Sequence, residues 1–447
     1  MIKKLIFLLI TVAFTLASCN QQELSNIGVD NELQKPIELT PEEYASIAYN
    51  GDNNLSEKEI LSIVKSFTEQ SSTRGAENFT FTIGEKIRLE FPKTRAGDNI
   101  STTYAYYVNI NNAGEKGIAL VSGDKRFPEV LTYTLKAPTG DHPQNEGVRI
   151  MNEISKQAML DEIAYYEHLQ DSLQEKTLTK IKQQYGRDNV EFAEIKDEIY
   201  IKNSDYDPTL TPNGTPVSNI GYFTKTTWDQ AYPYNAYLDR TEYKDYANYY
   251  YNYHFPTGCV ITAGAQILAY YHPTVVADGV NIDWNLLLES PYIFSDESTK
   301  VHQVASLMKY MGRETNTVYG ESGGTVSVEN LFLFFTRYGI TMDGPINGMN
   351  VARIKASLDA LRMVIATGKK ASAETGHAWL LDGYQIRRKN TREILKTNYI
   401  YIHANMGWGG TSDGYYLVKD DQSLFFNTAN GLYNTNMKIY CNVRSTR

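Results

Sequence analysis

Cysteine is scarce in this chain: Cys19, Cys259 and Cys441 are the 3 in 447 residues. So few, so far apart, exclude a disulfide scaffold. Histidine is nearly as rare, with 7, and no Cys or His pair stands at metal-ligand spacing, so neither a metal nor another cofactor is expected. There is no long basic run, and the formal net charge is -9; nucleic acid is therefore not an expected partner. Past the first 18 residues no stretch is apolar enough to span a bilayer. Internal repeats and low-complexity tracts are absent. Hydrophobic residues make up 42% and charged residues 21%, which suits packed domains and argues against wholesale disorder. The length suits two or three domains. Tyrosine, by contrast, is abundant, with 34. Many fall between Tyr243 and Tyr253, alternating with Asn, Asp and Lys. A wet, half-buried surface segment is the simpler reading; a recognition surface is the other, since the ring buries area while the hydroxyl stays hydrated.

The N-terminus reads as a processing signal. Lys3 and Lys4 precede an apolar stretch, Leu5 to Ala17, of signal-peptide length. It ends Leu16-Ala17-Ser18-Cys19, which resembles the lipobox of bacterial lipoproteins. That resemblance implies cleavage after residue 18 and a lipid on Cys19, hence an extracytoplasmic protein anchored to a membrane. With Cys19 lipidated and Cys441 in an apolar strand-like run, no disulfide is expected.

Residues 19–40 look like a polar tether. Thr40 caps a helix opened by Pro41, and Ile60, Leu61, Val64 and Phe67 form one stripe of the next. A polar loop follows from Thr68 to Asn78. A β-rich stretch runs from Phe79 to Lys136, with a hairpin turning at Asn111-Asn112-Ala113-Gly114. A long helix spans about 145–184. The segment 186–212, ending in Asp207-Pro208 and Thr211-Pro212, suggests a linker and a domain boundary. The second half places helices first, at about 258–271, 299–312, 326–338 and 350–360. Strands follow at about 362–366, 376–386, 397–404, 413–419 and 437–443. The charged run Arg387-Arg388-Lys389-Asn390 reads as a solvated turn. The fold class is α+β.

Four segments carry chemistry. In Thr257-Gly258-Cys259-Val260, Cys259 opens an amphipathic helix, where free amides and the helix dipole favour a thiolate. On this segment alone a nucleophile and a buried core cysteine fit equally. In Gly376-His377-Ala378-Trp379-Leu380-Leu381-Asp382-Gly383, His377 stands at the exposed start of a strand. His403, His254 and His272 read as structural. In the segment His403 to Tyr416 a strand ends at Asn405, whose amide can accept an imidazole N–H; Trp408, in a Gly-rich loop, could cover that bond, or the loop is simply a tight turn with a packing indole. In Trp228-Asp229-Gln230-Ala231-Tyr232-Pro233-Tyr234-Asn235, Gln230 could complete an oxyanion hole with the Cys259 amide, though the signal is weak alone.

Taken in order, these segments resemble the streptopain family of papain-like cysteine peptidases, and Ala119 to Leu131 resembles the family's propeptide. The resemblance spans most of the chain. It implies a zymogen with a signal peptide at 1–18, a tether at 19–40, an inhibitory propeptide domain at 41–200 and a papain-like catalytic domain at 201–447, cut apart within about 186–220. It implies that Cys259 attacks a peptide carbonyl to form a thioester, His377 moves the proton, Asn405 orients His377, and Gln230 with the Cys259 amide holds the oxyanion. Gly323, Gly324, Thr325 and Gly376 would form the substrate pocket, with an apolar side chain favoured beside the cleavage site. The family places Trp directly after the Asn, where this chain has Met406; Trp408 is retained. The expected partners are protein or peptide substrates, the membrane through Cys19, and a peptidase inhibitor, with a monomeric chain released after propeptide removal. Two other readings stand beside this one: a catalytically impaired peptidase-fold lipoprotein that binds proteins or glycans, and another Cys–His enzyme such as a transglutaminase-like protein or a cell-wall amidase.

Overall fold

The computed structural model describes residues 36–71, 78–91, 102–138, 145–185, 191–202, 215–369, 376–388, 398–418, 426–428, 431–433 and 437–446. The signal segment, Cys19, most of the tether and the core of the expected linker, 203–214, lie outside the described residues.

Local signals act as the sequence leads one to expect. Thr40 accepts from the Glu43 amide while Glu43 reaches back to the Thr40 amide, a capping box that starts the helix Pro41–Ala48. The second helix, Glu57–Ser71, buries Ile60, Val64 and Phe67. It runs on through Thr68, where a loop was expected, because Thr68 is buried and its hydroxyl donates to the Val64 carbonyl. The hairpin at Asn111–Gly114 joins Thr102–Asn112 to Glu115–Ser122 in register. The long helix Glu146–Tyr185 has 40 residues, about 60 Å. It contributes Ile150, Met159 and Ile181 to three separate apolar clusters. The expected linker is not wholly unstructured: Ile199–Ile201 pairs in parallel with Ile37–Leu39.

The central feature is an 11-stranded antiparallel sheet. From one edge its path runs Ile340–Asn347, Lys438–Ser445, Val364–Gly368, His377–Arg388, Asn398–Asn405, Gly414–Val418, Val130–Thr134, Glu115–Ser122, Thr102–Asn112 and Phe79–Glu90, with Thr215–Ile220 paired beside the far half of His377–Arg388. The sheet therefore crosses from the second half of the chain to the first at one seam, where Tyr415 and Tyr416 face Tyr133 and Thr132. The nucleophile helix, Cys259–Tyr271, is buried from Val260 to Ala269 and packs on the sheet through Ala378 and Leu380.

Arg387 corrects the expectation of a solvated turn. It lies within the strand His377–Arg388, is 3% exposed, stacks 4.1 Å from the Phe67 ring and donates to Gln70 and Ser71 of the second helix. The sequence run looks polar, but the guanidinium stem is apolar and its planar head can lie on an aromatic face. Lys389 and Asn390 lie outside the described residues.

Candidate active site

Cys259 is the first residue of its helix, and Gly258 before it has φ +95°. That backbone favours glycine, and a Cβ there would also stand 2.4 Å from the Gly324 carbonyl oxygen. The short hairpin Val318–Gly320/Gly323–Thr325 thus sits directly on the nucleophile turn. The Ala378 amide donates to Cys259 Sγ at 3.3 Å. Burial nevertheless outweighs the amides and pushes the thiol up from its ordinary range. The helix terminus favours a thiolate, as expected, but desolvation wins here.

His377 begins its strand beside the nucleophile helix, 8% exposed. Its Nε2–H donates to the Met406 carbonyl at 3.2 Å. Burial pushes the imidazole down to about 4, against a smaller opposing effect of that bond. Trp379 lies parallel to the ring and Trp408 meets it edge-on, each 6.3 Å between centroids. The first turn of the long helix closes over the same ring: a Cβ at Gly147 would come within 2.8 Å of His377 Cδ2. Asn145, which caps that helix, is itself buried.

Asn405 stands next to Met406 but is otherwise engaged. Its Oδ1 accepts from Gln266 and from the Gly407 amide, both at 3.1 Å, and its Nδ2 donates to the Thr226 carbonyl. The neighbouring Met406 carbonyl therefore takes the imidazole N–H that sequence reasoning assigned to Asn405. The Met406 side chain is fully buried in the cluster with Ile150 and Trp379, so its backbone, and not its thioether, serves the site. Gln266 was missed from sequence. It sits 7 residues after Cys259 in the same helix, a spacing that returns to the same face. It ties that helix to Asn405, Thr226 and Trp228; a polar residue inside an otherwise apolar helix was the available signal.

Gln230 Nε2 is buried with no hydrogen-bond partner among the described residues, in the same cleft as Cys259. A donor left open there suits a developing oxyanion. Gly323, Gly324, Thr325, Gly376 and Trp408 line this cleft too, which holds about 1070 Å³. Tyr246 and Tyr251 of the tyrosine-rich segment form part of its wall, while Tyr249 is 89% exposed; the segment is both wet surface and cleft wall.

His403 is structural in the expected sense. Its Nδ1 meets Asp382 Oδ1 at 2.6 Å, and Tyr222 stacks on the ring at 4.4 Å. This also accounts for Asp382, which serves His403 across the sheet and not His377 along its own strand. His272 ends the nucleophile helix in a left-handed conformation, its amide on the Leu268 carbonyl. Cys259 and Cys441 are free thiols, the latter buried in its strand as expected.

Comparison with known proteins agrees with this constellation. Residues 228–416 match the Peptidase C10 family, a span that opens at Trp228 and closes at Tyr416, enclosing all four segments. Streptopain of Streptococcus pyogenes is 23% identical over 391 residues, covering 80% of this chain and 82% of the relative; the same protein from the serotype M1 strain matches equally. Among solved structures, a fragment of prointerpain A from Prevotella intermedia is 17% identical, with TM-score 0.42, over 81% of this chain and all of that one. Active interpain A from the same organism is 20% identical, with TM-score 0.36, over 52% of this chain and 97% of that one. Through residues 228–416 the chain matches the Peptidase C10 family, and it is a streptopain-like cysteine peptidase.

Proposed function

We propose that this chain is the zymogen of an extracytoplasmic cysteine endopeptidase, exported by residues 1–18 and anchored through a lipid on Cys19. The observation that carries this reading is the state of the cleft. Cys259 and His377 line one cavity, yet the His377 ring is held by the Met406 carbonyl and pressed by the first turn of the long helix. That is a resting base, held beside a nucleophile that lines the same cleft. Residues 41–200 act as the inhibitory propeptide and 201–447 as the catalytic part, with cleavage between them in about 186–220.

Uncovering the cleft returns the imidazole toward its ordinary range near 6.5, where it can take the Cys259 proton. The thiolate attacks a peptide carbonyl. Negative charge develops on the oxygen, facing the Cys259 amide and Gln230 Nε2. The tetrahedral adduct collapses as His377 gives its proton to the departing amine, leaving a thioester. Water, deprotonated by His377, hydrolyses the thioester and restores the thiol. Asn405, one residue from the carbonyl that now holds the ring, would receive the imidazole N–H once His377 swings free, its Oδ1 giving up the Gln266 or Gly407 donor it now holds.

The test uses the chain lacking residues 1–19, wild type against Cys259→Ala, followed by mass and by casein hydrolysis under reducing conditions. Wild type should shorten by the N-terminal part and cleave casein; the variant should stay long and inert. If wild type neither matures nor cleaves, and trypsin unmasks nothing, the second reading takes over. That reading, a peptidase-fold lipoprotein that binds proteins or glycans, is favoured by Met406 at the usual Trp position and by the tyrosines in the cleft wall.

A further inference from the structure

The cleft that holds Cys259 and Gly324 also has a recess lined by Thr367, Lys369 and Lys438, residues to which the steps of bond cleavage above give no role. Its floor is the sheet. Register sets Ala378, Thr367 and Lys438 side by side on three neighbouring strands. Ala378 is the residue whose amide touches Cys259 Sγ. The next row on the same face is Leu380, Ile365 and Tyr440, all packed around the nucleophile helix. Residues two apart on a strand share a face, so Lys438 projects to the same side as Tyr440 and lines the cleft. Two strand spacings put its backbone roughly 10 Å from Ala378. Lys369, which follows the Gly368 partner of His377, stands on the same wall.

Charge in this recess is unequal. Glu329, in the first turn of the helix Val328–Thr336, accepts the Tyr440 hydroxyl at 2.7 Å and so is already engaged. Neither Lys438 nor Lys369 stands within salt-bridge distance of a carboxylate among the described residues, though Lys438 acts electrostatically on Glu329 and, after the Tyr440 hydroxyl, helps hold its carboxyl below the ordinary range. Two ammonium groups therefore face one carboxylate that keeps its charge, which leaves an excess of one positive charge among Lys438, Lys369 and Glu329. The strand Gly323–Thr325 pairs with Val318–Gly320 on one edge and lines the cleft with the other, where an extended peptide can add as a further strand. Side chains of such a peptide alternate in direction; those turned from Tyr246 enter the recess.

We propose that Lys438, with Lys369 beside it, selects an acidic side chain in the substrate, on the Gly324 side of the scissile bond. This rests on the peptidase reading above and departs from the apolar preference that the family resemblance implied. The two cations attract a carboxylate in a half-enclosed recess and reject a second ammonium group, so discrimination between Glu and Lys comes from both attraction and repulsion.

The experiment takes matured wild-type protein and a peptide set with one scissile bond, in which Glu, Leu or Lys is stepped through three positions on each side. At one position Glu should exceed Lys in kcat/KM by about tenfold, and the ratio should shrink at high salt. Lys438→Glu should invert the order at that position, and Lys438→Gln should flatten it; the second variant and a thermal melt guard against a folding defect in the first. Equal cleavage of Glu and Lys peptides at every position, or a preference for Lys, overturns the proposal. Cleavage of Leu peptides without any charge preference does so while leaving the peptidase reading intact. If no peptide is cleaved, both fall together.

Discussion

Asp413 is half-buried, with its Oδ1 accepting the Met406 amide at 2.7 Å. That peptide is the one whose carbonyl holds His377, so the Asp413 carboxylate braces His377 from behind. Burial raises the Asp413 carboxyl to about 7, with the Met406 amide opposing and with His403, Asp382 and Lys136 also acting on it. A raised folded value means that the folded protein keeps a proton the unfolded chain releases, so stability falls as pH rises from about 4 through 7 and is flat beyond. Asp413→Asn retains an acceptor for Met406 and removes the charge. The variant should therefore gain on wild type as pH rises from 4 to 8, by on the order of 5 °C in unfolding midpoint. A gap independent of pH would show that Asp413 is already ionised in the folded state. His377 carries the opposite sign. Its value lies below the ordinary one, so the covered state is stable at neutral pH and loses stability as pH falls from 6.5 toward 4.

At the scale of elements, the decisive contact is the seam between Gly414–Val418 and Val130–Thr134. Gly414 faces Thr134, and a Cβ there would stand 2.1 Å from the Tyr133 carbonyl oxygen. The adjacent loop is clamped from the same side: Lys136 Nζ donates to the Gly409 carbonyl at 2.5 Å, the Ser412 amide to the Lys136 carbonyl, and the Thr134 hydroxyl to the Asp413 carbonyl. Residues of the N-terminal half thus hold the loop that carries Trp408. Gly414→Ala must push the strands apart, and over-packing of this kind costs about 1–3 kcal/mol. A lower unfolding midpoint is expected, together with faster release of the N-terminal fragment after cleavage, read by size-exclusion chromatography. An unchanged midpoint and a fragment that stays bound as in wild type would mean that the seam is dispensable.

For the molecule as a whole, two of the apolar clusters are shared between the halves. One joins Phe67, Val108, Leu120 and Met159 to Tyr399, Tyr401, Tyr415 and Leu417; another joins Ile150, Met151 and Ile154 to Trp379, Ala404 and Ile439. Taking away the N-terminal half would bare apolar residues on both faces of the sheet, since Tyr401, Tyr415 and Leu417 lie on one face and Ala404 and Trp379 on the other, an apolar surface of the kind that promotes association. Residues 215–447 produced alone should therefore yield less soluble, monomeric protein than the same segment co-produced with residues 20–214 as a separate chain. Equal yields of monomer would show that the exposed face reorganises without its cover.

Much of this was legible along the chain because it depends on local chemistry. Thr40 and Glu43 announce their capping box, the stripe of Ile60, Val64 and Phe67 its helix, and Asn111–Gly114 its turn; Gly258 before Cys259 and Gly376 before His377 mark the two chemical positions. Backbone preferences and periodicity act over a few residues, so sequence carries them. Other features are set by segments hundreds of positions apart. Thr215–Ile220 and Ile340–Asn347 have too little alternation to read as strands alone and form because partners are waiting. Arg387 is buried because Phe67 supplies a ring to cover it. The His377 imidazole is pushed down and the Cys259 thiol pushed up because packing of distant segments takes both groups out of water. Residue order determined which groups could do chemistry; desolvation and cross-strand register, which exist only once distant segments pack, decided the protonation state in which they are held.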